Sequence, residues 1–237
     1  MSANVPIGST DRAGADAPLA PDLRLPRSLH WLNATQFLGA LNDNLFKLLV
    51  TFAVIRALGE EASELAAGVG GLLFALPFLL FTPAAGVLAD RISKRTIIVA
   101  AKALELIIML AGALALMAGH APTLFGVLFL MATQSALFGP AKYGIIPELA
   151  GRHRLSRANS QIVMATYLAI IIGTFAAPAS VRLLGNRIGP AGWTCVAIAL
   201  AGLAASFGIE RTPAAGVRRT PSWFFWNDVL RPLRSVA

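Results

Sequence analysis

Along its 237 residues the chain alternates long apolar stretches with short polar ones. Six stretches reach the length of about 20 residues that a helix needs to cross a bilayer core of about 30 Å. They run Leu29–Leu58, Ala66–Ala89, Thr96–Ala118, Pro122–Tyr143, Asn159–Leu184 and Pro190–Ile209. A soluble core helix of such length would carry a polar face, and most of these carry none. The pattern predicts an all-α integral membrane protein with six transmembrane helices. Composition agrees: 56% of residues are hydrophobic, 14% are charged, and mean hydropathy is +0.68.

Three segments are expected. Residues 1–28 are rich in Ala, Pro, Asp and Gly, lack the apolar core of a signal peptide, and read as a disordered cytoplasmic tail. Residues 29–210 form the six-helix bundle, and 211–237 form a basic cytoplasmic linker. Within that linker Trp223, Trp226 and Leu230 recur at helical spacing between Pro221 and Pro232, as in a short amphipathic helix at the membrane interface.

The net charge of +8 would suit nucleic acid. In a spanning chain the same excess follows from the enrichment of Lys and Arg in cytoplasmic loops, so no nucleic-acid partner is expected. Fourteen cations outside the helices fall on one side, in the tail, the second and fourth connections and the linker. The other side has Arg56, Arg182 and Arg187, together with Glu60, Glu61 and Glu64. Both termini are therefore expected in the cytoplasm. Cys195 is the one cysteine, and His30, His120 and His153 lie far apart, so neither a metal site nor a cofactor is expected.

Polar residues inside the spans carry the candidate chemistry, because an ionisable group there costs about 2.5–3.5 kcal/mol on insertion scales. In the first span Gln36, Asp43, Lys47 and Thr51 share a face and form one polar stripe. Asp43 lies near its midpoint and points to a wet cavity, unless Asp43 and Lys47 neutralise each other as a structural pair. Asn42 and Asn44 flank the stripe and are placed to bond neighbouring helices. Lys102 and Glu105 can pair three residues apart, as a structural tie, by snorkelling, or toward a substrate. The fourth span holds Gln134 mid-way, then a break at Phe138-Gly139-Pro140, then Lys142, which can reach a lipid or substrate phosphate. Asn159 and Thr166 share a face of the fifth span. The sixth has little polar besides Thr194 and is expected to face lipid or pack a neighbour.

The segment Gly86-Val-Leu-Ala-Asp90-Arg91-Ile-Ser-Lys94-Arg95, between the second and third spans, puts an acid at a helix end before three cations. It resembles the loop motif of the major facilitator superfamily, with Ser93 where the family has a second glycine. The resemblance implies the N-terminal half of a major facilitator fold, two inverted three-helix repeats. It also implies that Gly86, Asp90, Arg91, Lys94 and Arg95 form a conformational latch between halves, not a substrate site.

The stretch from Gln36 to Asn44 and the stretch Phe138-Gly-Pro-Ala-Lys-Tyr-Gly-Ile-Ile-Pro-Glu-Leu149 resemble the lysophospholipid transporter family within that superfamily. The likeness extends from His30 to Ile209, with Ala-Lys-Tyr-Gly as its most specific run. It implies a bacterial inner-membrane protein that moves lysophospholipid by alternating access, so that cytoplasmic enzymes can reacylate it. Asp43 and Lys142 would handle the headgroup, with Gln36, Lys47, Asn44 and Gln134 beside them. Some family members are fused to an acyltransferase and an acyl–acyl-carrier-protein synthetase. A lysophospholipid carries a phosphate and often an ammonium, so a cavity for it needs both a cation and an acid.

No catalytic constellation appears. The residues five beyond the three histidines are Thr35, Phe125 and Ala158, not the aspartate of a glycerolipid acyltransferase. No phosphate-binding Gly-Lys-Ser/Thr loop or Gly-x-Ser-x-Gly elbow is present. The alternatives to lysophospholipid transport are a membrane anchor for lipid-acylating enzymes, or a major facilitator half for a drug or sugar. A mid-membrane acid disfavours the anchor. The family's full transporters have about twelve helices, two six-helix halves. Six helices need a second half, either a homodimer partner or the rest of a longer chain. The linker-like tail favours the longer chain.

Overall fold

The computed structural model describes residues 25–212, and within them six long helices follow one another. They are α1 (Arg27–Leu58), α2 (Ser63–Arg91), α3 (Lys94–Ala118), α4 (Ala121–Ala150), α5 (Leu155–Leu183) and α6 (Ile188–Phe207). Single 3-10 turns, Glu60–Ala62 and Arg152–Arg154, precede α2 and α5. All six are long and apolar enough to cross a membrane. The chain is a multi-pass membrane protein, with Ile107, Leu114, Met117 and Phe175 among the large apolar side chains left exposed for lipid. The expected interfacial helix at Trp223, Trp226 and Leu230, and the tail before residue 25, lie outside the described residues.

Three boundaries differ from the sequence expectation. The fourth helix does not end at Tyr143 but continues to Ala150, through Pro140 and Pro147. Phe138-Gly139-Pro140 is thus no break. A proline removes one backbone bond, but Ala141, Ile145, Ile146 and Ala150 beyond it are fully buried, and that packing holds the turns in register. The presumed loop from Gly86 to Arg95 is mostly helix: Gly86 to Arg91 are the last turns of α2, and only Ile92 and Ser93 link it to α3. The first turn of α5 begins at Leu155, before the expected Asn159.

Helix α1 packs on α5 to the same extent as α4 packs on α2, and α1 meets α6 as α4 meets α3. Helices α3 and α6 lie against each other, and α1 touches α4. Exchanging α1–α3 for α4–α6 therefore maps the main contacts of the bundle onto one another. Each repeat has three spans, so the second enters from the opposite side, and the repeats are inverted. Glycines permit the closest approaches. A Cβ on Gly192 of α6 would lie 2.9 Å from the Ala113 Cα of α3, and one on Gly173 of α5 would lie 2.9 Å from the Leu41 carbonyl of α1.

Two apolar clusters fill the interior, one toward each membrane face. One includes Phe46, Leu49, Met109, Leu128 and Met131, and the other Leu29, Leu32, Ile98, Ile145 and Ile162. On α1, α3 and α4 the residues between the two clusters are polar and buried: Asn42, Lys102, Glu105 and Gln134. A polar layer thus divides the core near the middle of the bundle.

Candidate functional site

The polar layer borders a cavity of about 720 Å³, lined by α1, α2, α3, α4 and α5. From α1 come Gln36, Gly39, Asp43, Asn44 and Lys47, which lie three or four residues apart or adjacent and so share a face. Gln134, Ser135, Phe138, Lys142 and Tyr143 face them from α4. Phe74, Phe78 and Thr82 of α2 and Thr166 and Ile170 of α5 complete the walls. The six residues singled out for headgroup handling all line this one cavity.

Asp43 is half-buried, and its Oδ2 accepts a 2.7 Å hydrogen bond from Ser135 Oγ across the α1–α4 contact. Ser135 has one hydroxyl proton, so the longer 3.3 Å approach to Gln134 Oε1 is the minor arrangement. Gln134 donates its amide to the Ala101 carbonyl of α3 at 3.0 Å, which fixes its side chain. Gln36 donates to Thr166 Oγ1 of α5 at 3.1 Å. Asn44 turns back on its own helix, to the Ala40 carbonyl.

Asp43 and Lys47 form no ion pair. The Lys47 ammonium instead lies 5.1 Å from the Phe74 ring centroid, over its face. Lys142 is buried, with its ammonium 4.4 Å from the Tyr143 ring centre and 5.8 Å from that of Phe138. Both cations are thus held by aromatic faces, which attract positive charge without neutralising it and leave room for an anion.

Lys102 and Glu105 do form an ion pair, at 2.6 Å, with each side chain 2% exposed. Lys102 does not snorkel, because its head lies inside the bundle. Glu105 also accepts from Asn42 Nδ2 at 3.1 Å, and the Lys102 ammonium lies 5.2 Å from the Phe138 ring centre. Gly39 makes room for that ammonium: a Cβ there would lie 2.3 Å from Lys102 Nζ.

Of the residues read as a latch, Gly86 makes no close approach, since a Cβ there would meet nothing within 4 Å, and the four charged ones fall into two sets. Asp90 and Arg91 are exposed at the end of α2. Lys94 is buried and pairs with Glu148 of α4 at 2.5 Å, while Arg95 Nε donates to the Ile209 carbonyl after α6. Sequence reading missed Ser135, Gly39 and the aromatic shelf of Phe74, Phe138 and Tyr143. One signal was available: a buried carboxylate needs a donor on a neighbouring helix, and Ser135 is a hydroxyl residue next to Gln134.

The model of the Major Facilitator Superfamily matches residues 32–235. Curated relatives are named lysophospholipid transporters. That of Serratia proteamaculans is 31% identical over 204 residues, covering 84% of this chain and 46% of the relative. That of Cronobacter sakazakii is 32% identical over 191 residues, covering 80% and 44%. That of Salmonella paratyphi B is 33% identical over 141 residues, covering 60% and 33%. The chain spans less than half the length of these relatives. With six apolar helices in two inverted repeats, a cavity between them that holds charged groups, and a family model that matches residues 32–235, the chain belongs to the Major Facilitator Superfamily.

Proposed function

We propose that this chain forms one half of a lysophospholipid transporter in a bacterial inner membrane, with both termini in the cytoplasm. It works by rocking against a second six-helix half around a site near the bilayer midplane. The observation that carries this reading is the cavity, which presents a carboxylate from α1 and an aromatic-held ammonium from α4 to the same space. A lysophospholipid headgroup brings the complementary pair: its phosphate meets Lys142, and its ammonium meets Asp43. Phe74, Phe78 and Ile170 offer an apolar wall to the single acyl chain. The names of the relatives support the same substrate.

Each residue has a distinct task. Ser135 holds Asp43 in place by its hydrogen bond, and Phe138 and Tyr143 hold Lys142. Lys47 adds positive charge on the Asp43 stripe, and Gln36 and Gln134 tie the cavity walls to α5 and α3. The buried Lys102–Glu105 pair forms the α3 wall of the cavity and keeps the polar layer neutral there. Exposed Asp90 and Arg91 latch to the second half, in the state open away from the cytoplasm. On the cytoplasmic side an acyltransferase or acyl–acyl-carrier-protein synthetase consumes the delivered lipid. Uptake of labelled lysophosphatidylethanolamine, with and without Asp43→Asn, tests the assignment.

A further inference from the structure

The N-terminus of α3 has an arrangement that transport through the central cavity does not use. A groove of about 570 Å³ lies there, away from that cavity, bounded by Ser93, Arg95, Thr96, Arg211 and Thr212. Its floor continues along α3 as Val99, Ala100 and Ala103, one small apolar strip at helical spacing.

Three features of the groove favour an anion. First, α3 lacks a side-chain cap: Ser93 is its N-cap residue, but its hydroxyl donates to the Thr212 carbonyl at 2.9 Å. The N–H groups of Lys94, Arg95 and Thr96 therefore have no intrahelical acceptor and present the positive end of the helix dipole. Second, two guanidinium groups flank the groove. Arg95 uses only Nε, on the Ile209 carbonyl, which leaves both terminal nitrogens, and Arg211 is exposed. Third, Thr212 is only 9% exposed, and its Oγ1 is buried in the groove wall without a hydrogen-bond partner. A buried hydroxyl left unpaired is costly, and a turn of the Thr212 side chain onto a ligand oxygen in the groove would remove that cost. Of the acids near the groove, Glu148 is taken by Lys94, which keeps the Lys94 ammonium on the α4 side, and exposed Glu210, though next to Arg211, is not part of the groove lining.

We propose that this groove binds the phosphate of an anionic membrane phospholipid, with an acyl chain lying along Val99, Ala100 and Ala103. The source is a bilayer lipid, because the charged end opens onto an apolar strip on the lipid-facing side of α3. Ala100 is exposed there, and the larger Leu104 and Ile107 follow it toward the bilayer interior. An occupant would bridge the start of α3 and the end of α6, the pair in closest mutual packing. Arg95, read from sequence as a latch residue, then belongs to a lipid site on the bundle's flank.

The test uses the full chain in phosphatidylcholine nanodiscs titrated with dioleoylphosphatidylglycerol, with retained lipid read by native mass spectrometry. Wild type should retain phosphatidylglycerol over phosphatidylcholine of the same acyl composition. Arg211→Gln, which alters an exposed side chain, should lower that retention about fivefold, as expected for one cation at a membrane surface. Arg56→Gln, an equal charge change at the opposite end of the bundle, should leave it unchanged. Equal retention of the two lipids, or equal loss in Arg56→Gln and Arg211→Gln, would overturn the proposal. So would retention of inorganic phosphate, added in a separate arm, in place of the lipid.

Discussion

Ser135 of α4 and Asp43 of α1 are joined by a 2.7 Å hydrogen bond that bridges the two central helices at the level of the polar layer. The bond aims the carboxylate into the cavity and leaves its other oxygen for a ligand. Ser135→Ala removes the donor and leaves the acid in place. A hydrogen bond to a charged group is worth about 1.5–3 kcal/mol, so lipid uptake should fall by about tenfold or more. Ser135→Thr keeps the hydroxyl and should retain most uptake. Initial rates of labelled lipid uptake, normalised to protein in the membrane, check both.

The Lys102–Glu105 pair lines the α3 wall of the cavity with each side chain only 2% exposed, so its first effect should be on folding. Glu105→Gln leaves a buried ammonium without its counter-charge, which costs about 3–5 kcal/mol. The paired replacement Lys102→Met with Glu105→Leu removes both charges and should recover part of that loss, the remainder being the buried Asn42 amide left without its acceptor. Thermal unfolding in detergent separates the variants. A double variant as unstable as Glu105→Gln would mean that the pair does more than neutralise itself.

Gly192 marks a contact with no space to spare. Ala at this position puts a methyl 2.9 Å from the Ala113 Cα and 2.9 Å from a Leu116 methyl, so α3 and α6 must separate. The expected cost is about 1–3 kcal/mol. Gly71→Ala is the comparison, because a Cβ there meets nothing within 4 Å. It should be neutral or stabilising by up to about 1 kcal/mol through helix propensity. The melting temperature of Gly192→Ala should therefore fall while that of Gly71→Ala holds or rises.

Asp90→Asn should weaken the proposed latch and shift the balance between the two access states. Single cysteines placed on opposite sides of the cavity report this through maleimide labelling. The native background is quiet, because Cys195 is buried. Unchanged labelling at both positions would count against a latch at Asp90.

The spans were legible because apolar length is a one-dimensional signal, set by bilayer thickness alone. The length of α4 was not, since Phe138-Gly139-Pro140 reads as a helix break until the buried Ala141, Ile145 and Ile146 show what holds those turns. Lys102 and Glu105 were visible as a pair by spacing, but their burial depends on α1 and on the space left by Gly39. Four residues apart, Asp43 and Lys47 left a structural pair open as the alternative to a wet cavity. The ring of Phe74, a contact from another helix, takes Lys47 instead. Ser135 carried no weight in an apolar span until the packing of α1 on α4 placed it against Asp43.

Uptake of labelled lysophosphatidylethanolamine into cells lacking their own importer tests the central claim most directly. The protein should be expressed in the form its own cell makes, as wild type and as Asp43→Asn, with membrane levels matched. Uptake by wild type that is lost in Asp43→Asn is the expected result, and it would place the carboxylate of α1 in the lipid path. No uptake by wild type present in the membrane would contradict the substrate class. Undiminished uptake by Asp43→Asn would contradict the site.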